Sequence, residues 1–226
     1  AYYETPQSDD RFIESQLDIR DAQGRAMPGY GWVFPLGDGE INVGAGLVST
    51  FKGWKDVNTS NILDAYVSSL PDHWKVDEIT PHTKPLGGKL PMSLSVGPKV
   101  GRNWALIGDA SGAVNPFNGE GIDYAYETGR MAAKYVADAA AGDETALSGY
   151  ARELEDVYGD YHRVARVFVK AIGNPAVMRT LTTVGLRSKP LMEWTLKVMA
   201  NLLDPDEAQM SERVYYAIEK VVNVGS

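Results

Sequence analysis

Residues 107–129 read Ile107-Gly108-Asp109-Ala110-Ser111-Gly112-Ala113-Val114-Asn115-Pro116-Phe117-Asn118-Gly119-Glu120-Gly121-Ile122-Asp123-Tyr124-Ala125-Tyr126-Glu127-Thr128-Gly129. The apolar run Trp104 to Ile107 predicts a strand ending in Gly-Asp, and the turn-rich loop behind it closes with Gly-Glu-Gly at the start of a long helix. That order aims one carboxylate and one helix N-terminus into the same crevice. A carboxylate just past a strand accepts hydrogen bonds from sugar-alcohol hydroxyls. A helix N-terminus, with roughly half a positive charge and free N–H groups, stabilises an anion. A flavin offers both partners, a polyhydroxyl ribityl chain and a pyrimidine edge that is negative when reduced. Taken alone, the same residues also read as an ordinary strand-loop-helix connection in which the glycines serve only tight packing.

On the N-terminal side the chain reads as antiparallel sheet. Ile13, Ser15, Leu17 and Ile19 alternate with polar neighbours, and Asp21-Ala22-Gln23-Gly24 predicts a turn. A strand from Tyr30 to Phe34 meets Gly37-Asp38-Gly39 and returns as Glu40 to Ala45, which is a hairpin with Ile41, Val43 and Ala45 on one face. Thr59-Ser60-Asn61 offers helix caps ahead of Ile62, Leu63, Tyr66, Val67 and Leu70, and Pro71 stops that helix. Pro81 to Pro91 predicts an extended connection with a short strand.

On the C-terminal side the chain reads as helical. The helix from Ile122 to about Ala141 carries Ile122, Ala125, Gly129, Ala132, Val136 and Ala139 along one side, small residues suited to close packing against a sheet or cofactor. A helix through Tyr150 to Ala171 follows, then a break at Gly173-Asn174-Pro175, a short helix, another from Lys189-Pro190 to Leu203, and a last one to about Val222.

Tyr30-Gly31-Trp32-Val33-Phe34-Pro35-Leu36-Gly37 places three aromatics at period two, so a strand puts Tyr30, Trp32 and Phe34 on one face. Such a face is either part of a buried core or a ligand surface. The segment around Gly108-Asp109 resembles the second flavin-contacting motif of the FAD-dependent oxidoreductases related to p-hydroxybenzoate hydroxylase. The aromatic stretch is similar to the Tyr-x-Trp-x-Phe-Pro-x-Gly pattern of their geranylgeranyl reductase branch. Among members, Gly29 to Gly37 and Asn115 to Tyr124 look closest to the actinobacterial menaquinone-side-chain reductases.

The resemblance covers roughly residues 1–140 well and the tail loosely. It implies that Asp109, after Gly108, holds the ribityl chain of FAD, that Pro116, Gly119 and Gly121 shape the loop and let backbone approach the ring, and that Ile122 starts the helix beneath it. It further implies that Tyr30, Trp32, Phe34, Pro35 and Gly37 shape an isoprenoid site, with Tyr30 and Trp32 as catalytic candidates. The reaction implied is saturation of an isoprenoid carbon-carbon double bond, fed by an electron donor that the sequence does not name. The expected class is α/β for the family and α+β within this chain. Its parts would be an antiparallel substrate-domain sheet over 1–100, part of a Rossmann-like FAD-binding domain over 101–142, and a C-terminal helical region over 143–226.

The 226 residues contain no Gly-x-Gly-x-x-Gly after an early strand and begin Ala-Tyr-Tyr-Glu, so the chain is expected to be the C-terminal portion of a longer protein, with an incomplete FAD site. Two other readings stand beside the reductase: a flavin monooxygenase or halogenase of the same superfamily, and a non-catalytic lipid-binding or membrane-surface module. With no cysteine and three scattered histidines, no metal site is expected. Residues 162–203 hold seven cations against Glu193, a net +6 in a chain of net −8, so the remainder is strongly acidic and nucleic acid is not an expected partner. That basic, apolar tail predicts either peripheral contact with the inner face of the cytoplasmic membrane by a cytoplasmic protein, or a helix buried on one side.

Overall fold

The computed structural model describes residues 1–76 and 83–202, apart from 173, 175, 178–182 and 184–186. They fall into two compact units, residues up to 88 with the described residues of 171–183 in one, and residues 89–170 with 187–202 in the other. The described residues hold one sheet, antiparallel throughout, and four α-helices, a mixed α/β composition.

The sheet unit contains β1 (Tyr2–Glu4), β2 (Glu14–Gln16), β3 (Gly29–Pro35) and β4 (Glu40–Leu47), in the order β1-β4-β3-β2. β3 and β4 form the expected hairpin, with Val33 opposite Val43 and Trp32 opposite Gly44. Its turn places Gly37 and Gly39 at φ of 80° and 94°, a region that a Cβ disfavours. Because side chains alternate across a strand, Tyr3, Val33, Ile41 and Val43 share one face, and all four are buried. That face packs on α1 (Thr59–Val67) through Ile62, Leu63 and Tyr66. A Cβ at Gly31 would stand 2.4 Å from Cζ of Tyr66, so the tyrosine ring fills the space that a side chain at 31 would need.

Several local expectations shift. α1 is capped by Asn58, whose Oδ1 accepts the Ser60 N–H at 2.9 Å, one residue ahead of the Thr59-Ser60-Asn61 candidates, and it ends at Val67 rather than running to Pro71. The strand expected from Ile13 to Ile19 pairs with β3 only over Glu14–Gln16. Past Gln16 the chain turns around Asp21 and bonds to itself, the Met27 N–H donating to the Ile19 carbonyl at 2.9 Å, which leaves Ile13 exposed and Ile19 buried. Residues 83–91 carry no strand, and Pro81 lies outside the described residues.

Trp104 to Ile107 is not a regular strand. It is one arm of a tight hairpin, with a single bridge between Val100 and Ala105, closed by the Gly101 N–H on the Trp104 carbonyl at 2.9 Å and the Leu106 N–H on the Lys99 carbonyl at 2.8 Å. A ladder limited to its own other arm is too short to count as sheet.

The helical unit contains α2 (Ile122–Ala140), α3 (Ala146–Ile172) and α4 (Lys189–Met199). α2 buries Tyr124, Thr128 and Ala132; of the expected small-residue stripe only Ala132 is buried, and Ile122 and Val136 are exposed. The reason is area. Tyr124 and Ala132 pack with Tyr150, Leu154 and Tyr158 of α3, and large rings remove far more apolar surface from water than alanines do. Three phenol tips are satisfied: Tyr150 donates to the Leu106 carbonyl at 2.8 Å, Tyr135 to Glu153 at 2.6 Å, and Tyr158 to Glu127, while the buried Tyr124 hydroxyl has no partner among the described residues. The expected break at Gly173 and Pro175, the end of the third helix at Leu203 and the last helix to Val222 lie outside the described residues.

His162 sits fully buried among Tyr124, Tyr158 and Tyr161, at ring-centroid distances of 5.8, 6.2 and 5.9 Å. Neither ring nitrogen has a hydrogen-bond partner among the described residues. Burial, then the charges of Arg166 and Lys99, push its pKa from 6.5 down to about 4. A folded-state pKa below the unfolded one means that the contribution is complete above about pH 6.5 and is lost as pH falls toward about 4, a loss of roughly 3 kcal/mol. Denaturant midpoints of the parent should therefore drop across this window, and His162→Phe should flatten that acid limb. An acid limb unchanged by His162→Phe would assign the loss to carboxylates instead.

Candidate functional site

The Gly-Asp loop is built by backbone constraints. Gly108 adopts φ 51°, and a Cβ there would meet the Cβ of Ala125 at 3.0 Å, so only glycine lets the loop lie this close to α2. The Gly108 N–H donates to Oγ1 of buried Thr128 at 2.9 Å, tying the loop to the second turn of α2. Lys99 holds the loop from the other side: its Nζ donates to the carbonyls of Leu94 and Ser111, both at 2.7 Å, and to that of Val96. Burial lowers the pKa of this ammonium, and its three carbonyl acceptors explain why it is tolerated there.

Residues 113–117, Pro116 included, are buried. Asn115 organises them, its Oδ1 accepting from the Phe117 N–H at 3.0 Å and its Nδ2 donating to the Met199 carbonyl at 2.8 Å. Asn118 and Tyr161 donate to that same carbonyl at 3.1 and 3.2 Å, so the C-terminal end of α4 is anchored on the loop.

Asp109 itself is exposed, and its carboxylate makes no hydrogen bond or ion pair among the described residues. A Cβ at Gly121 would lie 2.8 Å from the Asp109 Oδ1 and 3.3 Å from Cγ2 of Val114. Gly119, at φ 76°, turns the chain toward Gly121, which starts α2 with no side-chain cap. The Asp123 N–H is taken by the Glu120 carboxylate at 2.9 Å, and exposed Ile122 stands at the helix start. The unpaired Asp109 carboxylate, a glycine with no room for a side chain and the start of α2, where Glu120 takes the Asp123 N–H, thus share one surface. They suit a ligand that offers hydroxyl donors and an anionic edge.

The aromatic stretch forms a second surface, in the sheet unit. Tyr30 and Trp32 have ring centroids 5.7 Å apart, and Trp32 and Phe34 6.0 Å apart at an interplanar angle of 26°. None of the three is buried, whereas Val33 between them is 0% exposed, so the aromatic row lines the open side of the sheet and the core lies on the other. Burial of the Tyr30 phenol raises its pKa, which keeps its proton in place at neutral pH. Opposite the row, β4 presents Gly44 and Gly46, and the Trp32 Nε1–H donates to the Asn42 Oδ1 at 2.9 Å. Pro35 pairs with buried Ile41 on the core side, and Gly37 belongs to the turn, its N–H held by the Ser8 carbonyl at 2.8 Å. These two stand apart from the aromatic row. Lys99, Thr128 and Asn42 were not legible as site residues, since their partners are main-chain atoms or residues brought together by folding. The hairpin register alone would have placed Asn42 beside Trp32.

No protein-family model matches the chain. Menaquinone reductases of Mycolicibacterium smegmatis and Mycobacterium tuberculosis are 35% and 37% identical to it, each over 95% of the chain. A digeranylgeranylglycerophospholipid reductase of Methanocella arvoryzae is 36% identical over 59% of the chain and 33% of its own length. The chain belongs to the geranylgeranyl reductase family. It spans about half the length of the curated relatives it matches, 52% and 51% of the two menaquinone reductases. Among solved structures, a geranylgeranyl bacteriochlorophyll reductase-like protein from Thermoplasma acidophilum superposes with a TM-score of 0.58 at 18% identity, over 89% of this chain and 53% of the other. That likeness shows a geranylgeranyl reductase-like fold.

Proposed function

We propose that this chain supplies the isoprenoid-binding face and the ribityl-binding loop of an FAD-dependent reductase that saturates carbon-carbon double bonds in an isoprenoid chain, such as a menaquinone side chain. The observation that carries the reading is the open row of Tyr30, Trp32 and Phe34 on a sheet whose other face forms the core. Such a row is costly to leave bare in water and is complementary to a hydrocarbon chain. The two menaquinone reductases, matched over 95% of this chain, and the Methanocella arvoryzae relative, matched over 59% of it, are named as reductases.

The Gly-Asp loop fits the cofactor. Asp109 would accept hydroxyl hydrogen bonds, Gly108, Pro116 and Gly119 shape the loop, Gly121 leaves room, and Ile122 with the start of α2 would meet an anionic edge. When bound and reduced, FAD supplies the hydride that an isolated alkene requires. The chain's own residues do the rest: Trp32 and Phe34 orient the alkene and exclude water, and protonated Tyr30 holds a proton for the second carbon. The test is anaerobic incubation of full-length, FAD-loaded protein with menaquinone and a chemical reductant, read by mass spectrometry. Addition of two hydrogens per reduced bond is expected. An unchanged side chain, with geranylgeranyl lipids equally unchanged, would overturn the reading.

Peripheral contact with an anionic membrane is part of the same proposal. Among the described residues no helix is long and apolar enough to cross a membrane. α4 exposes Leu191 and Leu196, with Arg187, Lys189 and Lys197 at the surface around them and Lys189 3.7 Å from Glu193. Each surface cation near anionic lipid contributes about 1 kcal/mol. The full-length protein should co-sediment with anionic vesicles at low salt and less so at high salt. Charge reversal of Arg187, Lys189 and Lys197 to Glu should weaken that binding and leave flavin absorbance unchanged. Equal sedimentation of parent and variant would make α4 a packed cap.

A further inference from the structure

Trp32 is the ring at the centre of the aromatic row, flanked by Tyr30 and Phe34, and it lies on backbone with no side chain beneath it. It lies over a strip of β4 with no side chains: a Cβ at Gly44 would fall 2.0 Å from Cζ2 and 2.3 Å from Cε2 of the indole, and a Cβ at Gly46 would fall 3.6 Å from Cζ3. Glycine in a strand gives a ring room to approach the backbone and no side chain beneath it to fix its rotation. Cross-strand pairing sets Trp32 opposite Gly44 and Phe34 opposite Asn42, so Asn42 is the diagonal neighbour of Trp32 on the same open face. The indole N–H donates to its amide oxygen at 2.9 Å. Indole nitrogen is donor-only, which fixes the amide with its oxygen toward the ring.

We propose that Asn42 is a positioning residue for the isoprenoid site: its amide oxygen takes the one polar group of Trp32 and holds the indole over the Gly44–Gly46 strip, so that the ring presents hydrocarbon to the substrate in a single orientation. The inference rests on the isoprenoid reading of the aromatic face. Removing the acceptor frees the ring to turn about its side-chain torsions and leaves an unsatisfied N–H on a greasy surface. Misplacement of the double bond then costs turnover more than binding.

The test uses full-length, FAD-loaded protein with menaquinone in detergent micelles and a chemical reductant, comparing Asn42→Leu, Asn42→Asp, Gly44→Ala and Trp32→Ala. Trp32 is followed through its indole N–H resonance in 15N-tryptophan-labelled protein. Asn42→Leu should lose exchange protection of that proton and drop kcat roughly tenfold with KM little changed. Asn42→Asp, which keeps an acceptor, should recover most of both. Gly44→Ala should reproduce the kinetic defect with Asn42 intact, because the new methyl displaces the ring from below, and it carries the test if Asn42→Leu does not fold. Normal kcat in Asn42→Leu and Gly44→Ala, with Trp32→Ala impaired, overturns the positioning role alone. Normal kcat in Trp32→Ala overturns the isoprenoid reading and the inference with it.

Discussion

Asp109→Ala should strip FAD from the full-length protein while leaving its fold intact. The carboxylate is exposed and makes no hydrogen bond or ion pair among the described residues, so nothing in the chain loses a partner when it is removed. A ligand hydroxyl donating to it forms a charge-assisted bond of roughly 1.5–3 kcal/mol, which corresponds to about a ten- to hundredfold rise in Kd. Asp109→Asn, which keeps an acceptor and loses the charge, should fall between parent and alanine variant. FAD content after gel filtration and a fluorescence titration of the apoprotein measure the effect, with the thermal midpoint as control. Parent-like affinity in a folded Asp109→Ala protein would make the Gly-Asp loop structural and remove the cofactor assignment from this chain.

Trp32→Ala should lower kcat/KM for isoprenoid reduction roughly a hundredfold, the scale of loss that follows when a reacting group is displaced by about an ångström. FAD content and thermal midpoint should stay close to the parent, because the sheet is held by Val33, Ile41 and Val43 on the opposite face. A core tryptophan behaves differently: Trp74 is 1% exposed and its Nε1 donates to Glu14 at 2.7 Å, so Trp74→Ala should cost about 3–5 kcal/mol of stability. The pair makes a direct comparison. If Trp32→Ala lowers the unfolding midpoint as far as Trp74→Ala does, and kinetics in the surviving folded fraction are normal, the aromatic row is structural.

Much of the sheet was legible because strand periodicity is a local property. Tyr30, Trp32 and Phe34 at period two, with Gly37-Asp38-Gly39 between two such runs, are enough for a hairpin and for the statement that the three rings share a face. Which face is buried is not local. Val33 and Trp32 are both large and apolar, and the choice fell to α1, whose Tyr66 fills the space beside Gly31 and closes that side. The same limit explains α2. Its helical span could be read from the residues, but its buried stripe was decided by the tyrosines of α3, because a helix with apolar residues on more than one side buries whichever face meets the larger partner surface. The run Trp104 to Ile107 has strand composition, yet a strand exists only where another backbone offers hydrogen bonds, and among the described residues only the short arm around Val100 does. By itself, then, the sequence determined the hairpin, the helix starting at Ile122, the Gly-Asp loop with its glycines and the family they mark. Tertiary structure alone decided that the aromatic row is open, that Asp109 is unpaired beside Gly121, and that Lys99, Thr128 and Asn42 hold these groups in place. Those facts depend on contacts between elements, which local periodicity does not encode; for Asn42 the hairpin register carries the information.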